Sequence, residues 1–124
     1  MRTNPSTPPP ADSRGSRAAL VFALAAQRLS IWFEHGQWPT EGQGATLAAD
    51  WLARTGRSLS LGERRHLSAL SDRLARSMAA SLSREAGLFA VHEMMEALDP
   101  NYESELARSV MAECERLLDE EAGT

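Results

Sequence analysis

The feature that most constrains this chain is an apolar run near its start. Residues 18–26 (Ala-Ala-Leu-Val-Phe-Ala-Leu-Ala-Ala) carry no polar side chain, and the run continues into Gln27-Arg28-Leu29-Ser30-Ile31-Trp32-Phe33. At 100° per residue, Val21, Phe22, Ala25, Leu29, Trp32 and Phe33 share one broad arc. Leu20, Leu24 and Ile31 fall on a second. A helix apolar on two faces belongs in the centre of a bundle or against a partner. The spacing predicts a first helix over Arg17 to Phe33.

The run is far shorter than the roughly 20 apolar residues that cross a bilayer, so no membrane association is expected. A basic leader, a short apolar stretch and the small residues around Ala23 and Ala25 also match the three regions of a signal peptide. The unbroken helical spacing beyond Ala26 favours a folded helix over a cleaved leader. Residues 1–15, with four prolines and no large apolar residue after Met1, are expected to form a disordered tail. Pro8 to Pro10 could offer a polyproline II segment to a partner; an inert leader is the preferred reading.

Beyond the first helix, Gly36 to Gly44 contains three glycines and a proline and reads as a loop, with Trp38 plugging the end of the core or standing out as a contact. A short helix is expected over Ala45 to Thr55, with Leu47, Trp51 and Leu52 inward and Gly56 as its stop. Ser60-Leu61-Gly62-Glu63 fits a capping box. Leu67, Leu70, Leu74, Met78 and Leu82 then mark a helix of about five turns, with Arg65, His66, Arg73, Arg76 and Arg84 opposite the stripe and Asp72 pairing with Arg76. The phase shifts near Arg84 to Gly87. A fourth helix buries Leu88, Val91, Met94, Met95 and Leu98 and stops at Asp99-Pro100. A fifth carries Tyr102, Leu106, Val110, Cys114, Leu117 and Leu118 inward. No segment alternates with period two. The expected architecture is all-α: a compact bundle of about five helices, in one domain over residues 16–122.

The 124 residues carry 13 basic and 17 acidic side chains, a formal charge of −4, which disfavours a dedicated nucleic-acid or anionic-membrane binder. All the basic residues are arginine, which fits a GC-rich coding sequence better than a need for guanidinium at every site. The signs are segregated. Residues 54–84 hold seven arginines against two acids, and residues 93–121 hold ten acids against two arginines. One cysteine excludes a disulfide framework and a multi-thiolate zinc site. Cytoplasmic localisation is the expectation.

Three functional readings follow. The preferred one is a small non-catalytic protein-interaction module: an adaptor, inhibitor or regulatory subunit, or a homodimer. Trp32, Phe33 and Trp38 are its candidate apolar anchors and Arg65, Arg73 and Arg76 its charged contacts. No catalytic residue, metal or cofactor is expected. The second is a helix-turn-helix over Ala49 to Ser60, with Arg57, Ser58, Arg64 and Arg65 reaching nucleic acid. Gly62 stands where that motif wants an inward apolar residue.

The third concerns a candidate polar pocket of His66, His92, Glu93 and Glu96, in which His92 and Glu96 are spaced for a ligand pair or a general-base dyad. Arg65-His66, then Ala90-Val91-His92-Glu93-Met94-Met95-Glu96-Ala97 and Pro100-Asn101-Tyr102, resemble a degenerate form of the HD-domain metal phosphohydrolases. The resemblance spans at most residues 60–120. It implies an all-α fold and, with Glu93 replacing the metal-bridging Asp and no counterpart for the last Asp ligand, a non-catalytic relative.

Overall fold

The computed structural model describes residues 14–55, 59–99 and 101–122. Among these there are five helices and no strand: α1 Arg14–His35, α2 Glu41–Thr55, α3 Leu61–Ser81, α4 Arg84–Glu96 and α5 Glu105–Ala122. The expected all-α architecture is the observed one. The expected tail lies almost wholly outside the described residues.

α1 is the axis of the bundle. It packs against each of the other four helices, which touch one another in the order α2–α3–α5–α4 around it. Its two apolar arcs explain this position. Leu20 through Ala26 are all essentially inaccessible, as are Ala18 and Leu29, so partners cover the helix on every side. The run that matches a signal peptide's apolar region is therefore the centre of the core. No described helix is long and apolar enough to cross a membrane. α1 ends at Gly36, whose φ of 72° lies in the left-handed region and whose N–H donates to the Trp32 carbonyl at 2.8 Å.

The second element departs from the sequence reading. α2 begins at Glu41, four residues before the expected start, and includes two glycines that read as loop. Its start is a capping box. The Gln43 N–H donates to Thr40 Oγ1 at 3.1 Å, and the Thr40 N–H donates to Gln43 Oε1 at 2.8 Å. The two satisfied backbone donors offset the helix-weakening glycines at 42 and 44. Gly56 and the turn after it lie outside the described residues.

The remaining starts follow the same chemistry. Ser60 caps α3 by accepting from the Glu63 N–H at 3.1 Å, and Ser83 caps α4 by accepting from the Ala86 N–H at 3.1 Å. Ser104 caps α5, accepting from the Ala107 N–H at 3.2 Å. Leu67, Leu70 and Leu74 are buried as the stripe requires. Two expectations need correction. Met95 and Leu98 are exposed, because α4 turns Gly87, Ala90, Val91 and Met94 to the core. Tyr102 precedes α5, and its hydroxyl donates to Glu93 Oε1 at 2.9 Å across the α4–α5 turn.

Gly87 fixes how closely α4 approaches α1. A Cβ there would lie 2.2 Å from the ring of Phe33, itself 5% exposed. Gly87→Ala is expected to destabilise the protein by about 1–3 kcal/mol through overpacking, outweighing the roughly 1 kcal/mol of helix propensity that alanine brings. Urea denaturation measures it; an unchanged or raised midpoint would mean that the Phe33 ring shifts freely.

Candidate functional site

The most polar feature of the interior lies on α1. Arg28, two residues beyond the apolar run, has a side chain only 6% exposed. Burying a guanidinium is costly unless its donors are met, and α3 meets them. Nε donates to Ser71 Oγ at 3.1 Å, one terminal nitrogen to Ser68 Oγ at 2.7 Å, and the other to Asp72 Oδ1 at 3.3 Å. The three acceptors occupy successive positions of one α3 face, spaced 3 and 1, so a single helix delivers all of them. Gly44 leaves the space on the α2 side: a Cβ there would lie 2.6 Å from an Arg28 nitrogen.

Asp72 joins this interior to the surface. Its Oδ1 also accepts from the Trp38 indole N–H at 2.8 Å, and its Oδ2 from Arg76 Nε at 2.9 Å. The Arg76 guanidinium lies over the Trp38 ring, 4.6 Å from its centroid. Trp32 meets Trp38 edge-on, with centroids 5.9 Å apart. Partial burial pushes the Asp72 carboxyl up. The hydrogen bonds from Trp38 and Arg76 and the charges of Arg28 and Arg76 more than reverse this and hold it below its ordinary value. Burial lowers the Arg28 value, opposed by Asp72.

This network forms part of the wall of a cleft of about 760 Å³ between α2 and α3. Among the described residues, Arg28, Arg64, Arg65 and Arg76 line it against one carboxylate, Asp72, with Ser68 between them. Pro39, Gly42 and Ala48 form the opposite side. Arg64 Nε is buried and has no hydrogen-bond partner. Neither Arg64 nor Arg65 makes an ion pair among the described residues, so the cleft offers guanidinium charge that the fold does not neutralise. Its chemistry is that of an anion receptor.

The sequence-level candidates distribute unevenly. Trp32 is 37% exposed and lines a second, smaller cleft of about 550 Å³ with Gly36, Ala79, Leu82 and Arg84. Trp38 is half-buried and committed to Asp72 and Arg76. Phe33, 5% exposed, belongs to the core under Gly87 and borders the same smaller cleft as Trp32. Arg73 pairs with Glu120 of α5 at 3.1 Å, and Arg76 with Asp72; part of the charge segregation is thus met within the fold. Arg65 is exposed at the mouth of the arginine-lined cleft. Arg57 and Ser58 lie outside the described residues.

The four residues of the expected polar pocket line neither of the two clefts. His66, His92 and Glu96 are exposed. Hydrogen bonds from Ser104 and Tyr102 lower the Glu93 value, so its carboxylate ties α4 to the start of α5. Among the described residues no group of three or more His, Cys, Asp or Glu side chains could hold a metal ion. Cys114 is buried among apolar side chains, and burial pushes its thiol up to about 12. It is a core residue, not a nucleophile at neutral pH.

Sequence reasoning identified Arg64, Arg65 and Arg76 but missed Arg28 and the cleft. The available signal was Arg28 itself, a lone charge between two apolar arcs. No protein-family model, curated protein or solved structure matches the chain.

Two outcomes test the network. Because the Asp72 value in the folded protein lies below the ordinary 3.8, its contribution is present above that value and is lost as pH falls through the folded-state value. Denaturant stability of the wild type is therefore expected to drop below about pH 4, and Asp72→Asn should flatten that drop. Arg28→Met should cost about 1–3 kcal/mol at pH 7. This is less than for a fully buried pair, because Asp72 is about a third exposed and keeps Arg76 and Trp38. A stabilised Arg28→Met variant would show that the guanidinium is held for function alone.

Proposed function

We propose that this protein is a non-catalytic helical interaction module that binds an acidic protein partner through the α2–α3 cleft. The observation that carries the reading is the cleft's composition among the described residues: four arginines against one aspartate, with Arg64 and Arg65 in no ion pair. Guanidinium recognises carboxylates bidentately and remains charged at any physiological pH. Trp32, exposed beside the Trp38 ring that backs Arg76, supplies an apolar anchor next to the charged surface. Aromatic anchors flanked by arginine are the composition that dominates binding energy at protein interfaces.

The nucleic-acid reading draws on the same arginines, but a recognition helix must project its base-reading side chains into a groove. Here Arg64 is partly buried and the arginines line a recess. The overall charge of −4 also opposes a polyanion duplex. We assign the module to the cytoplasm, where a chain with a single buried cysteine and no internal disulfide needs no oxidising environment.

The test is a pull-down with the tagged full-length protein, with and without nuclease, analysed by mass spectrometry. A stoichiometric acidic protein that survives nuclease is expected. Trp32→Ala and Arg65→Glu should each weaken its binding by about tenfold or more while circular dichroism stays unchanged. Loss of the eluate on nuclease treatment would overturn the reading in favour of nucleic acid, and loss of helical signal in either variant would return that residue to the fold.

A further inference from the structure

The arginines of the cleft are not gathered at one point. Those on α3 share one face at positions 64, 65 and 76. At about 1.5 Å of rise per residue, Arg64 and Arg76 originate about 18 Å apart along the helix. Arg76 cannot swing freely toward the others, because its Nε is held by Asp72 one turn back and its guanidinium rests on Trp38. That places its charge near the level of Asp72, still about 12 Å from Arg64 by the same rise. Arg28 reaches this end too, sharing Asp72.

The two ends differ in charge. At one end Arg64 and Arg65 make no ion pair among the described residues, and Arg64 Nε is left without a partner. At the other end two guanidinium groups share one carboxylate. A compact oxyanion, a few ångströms across, can satisfy one end only. An extended peptide advances about 3.3 Å per residue and points alternate side chains to opposite faces, so about 12 Å corresponds to two residues on one face, four positions apart.

We infer that the cleft takes an extended acidic peptide segment with two carboxylate side chains four residues apart on one face, the first on Arg64 and Arg65 and the second on Arg76. The inference rests on the interaction-module reading and specifies its partner's recognised sequence. The uncharged backbone between the two acids lies over Ser68 and Ala69, the small residues that line the cleft between the arginine ends. Trp38 reports occupancy, because a ligand on Arg76 perturbs the guanidinium stacked on its ring.

The experiment titrates full-length protein with three synthetic eight-residue peptides of glycine and serine. One carries two glutamates four positions apart, one carries them adjacent, and one has glutamine at the spaced positions. Inorganic phosphate serves as the compact anion. Binding is read by tryptophan fluorescence and calorimetry at low and physiological salt. The spaced peptide is expected to bind at least about tenfold more tightly than the adjacent one or phosphate, with strong salt dependence and no detectable glutamine-peptide binding. Arg64→Gln and Arg65→Gln should each reduce the spaced peptide to the level of the adjacent one, with Arg65→Lys retaining part of the difference.

Equal affinity for phosphate, or for adjacent and spaced peptides, would overturn the inference in favour of a single-ion site. Absence of binding by every peptide at low salt would overturn it outright. If a variant fails to fold, the spaced-versus-adjacent comparison on the wild type still decides. The module reading fails separately: a pull-down that retains its protein partner in Arg64→Gln/Arg65→Gln leaves the module standing with a different contact surface, whereas capture of no protein removes it whatever the peptides do. Concentration-dependent self-association lost in Arg65→Glu would identify a second copy as the occupant and overturn a foreign peptide.

Discussion

The structure turns on one buried charge. Arg28 projects from α1 just past the nine-residue apolar run of 18–26, and leaving its donors unmet in that setting would cost several kcal/mol. Ser68, Ser71 and Asp72 meet them together. This fixes the rotation of α3 about its axis relative to α1, since only one face of α3 carries all three acceptors. It requires a glycine where α2 crosses the guanidinium. Through Asp72 it also positions Trp38 and hence the linker between α1 and α2. A hydrophobic contact tolerates sliding, whereas this set of directional bonds does not.

Around that fixed point the bundle is built by caps and small residues. Thr40, Ser60, Ser83 and Ser104 each satisfy a backbone donor at a helix start, so the boundaries are set locally before packing selects the faces. Gly87 and Gly44 act later, at points where two elements approach closely enough to exclude a methyl group. Phe33 against Gly87 and Arg28 against Gly44 are the apolar and polar forms of one device: a large side chain on the central helix seated in a notch on a peripheral one.

The segregated charges divide between structure and surface. Arg17 pairs with Glu63, Arg73 with Glu120, and Arg116 with Glu113 and Glu120, all at exposed positions where such pairs contribute little to stability. The arginines of the cleft are different. Arg64 and Arg65 line it without an acidic partner among the described residues, while Arg28 and Arg76 share Asp72. The positive potential that an acidic partner would meet is therefore concentrated in the recess and partly neutralised elsewhere.

The amino-acid sequence determined the secondary structure and the centrality of α1. Helical period, serine caps and the two-faced pattern of residues 18–33 are local quantities, and each acts within a few residues of itself. The α2 start was equally local, written in Thr40 and Gln43, but the glycines at 42 and 44 obscured it. What only the tertiary structure decided was which charges meet. Arg28 lies more than forty residues from Ser71 and Asp72, and nothing in its neighbourhood marks those two as its acceptors. The exposure of Met95, the burial of Phe33 and the attachment of Glu93 to Tyr102 were likewise settled by where neighbouring helices and turns lie. The cleft lies between α2 and α3 over Arg28, a property of two helices held by a third, and a linear pattern carries no record of the space between elements.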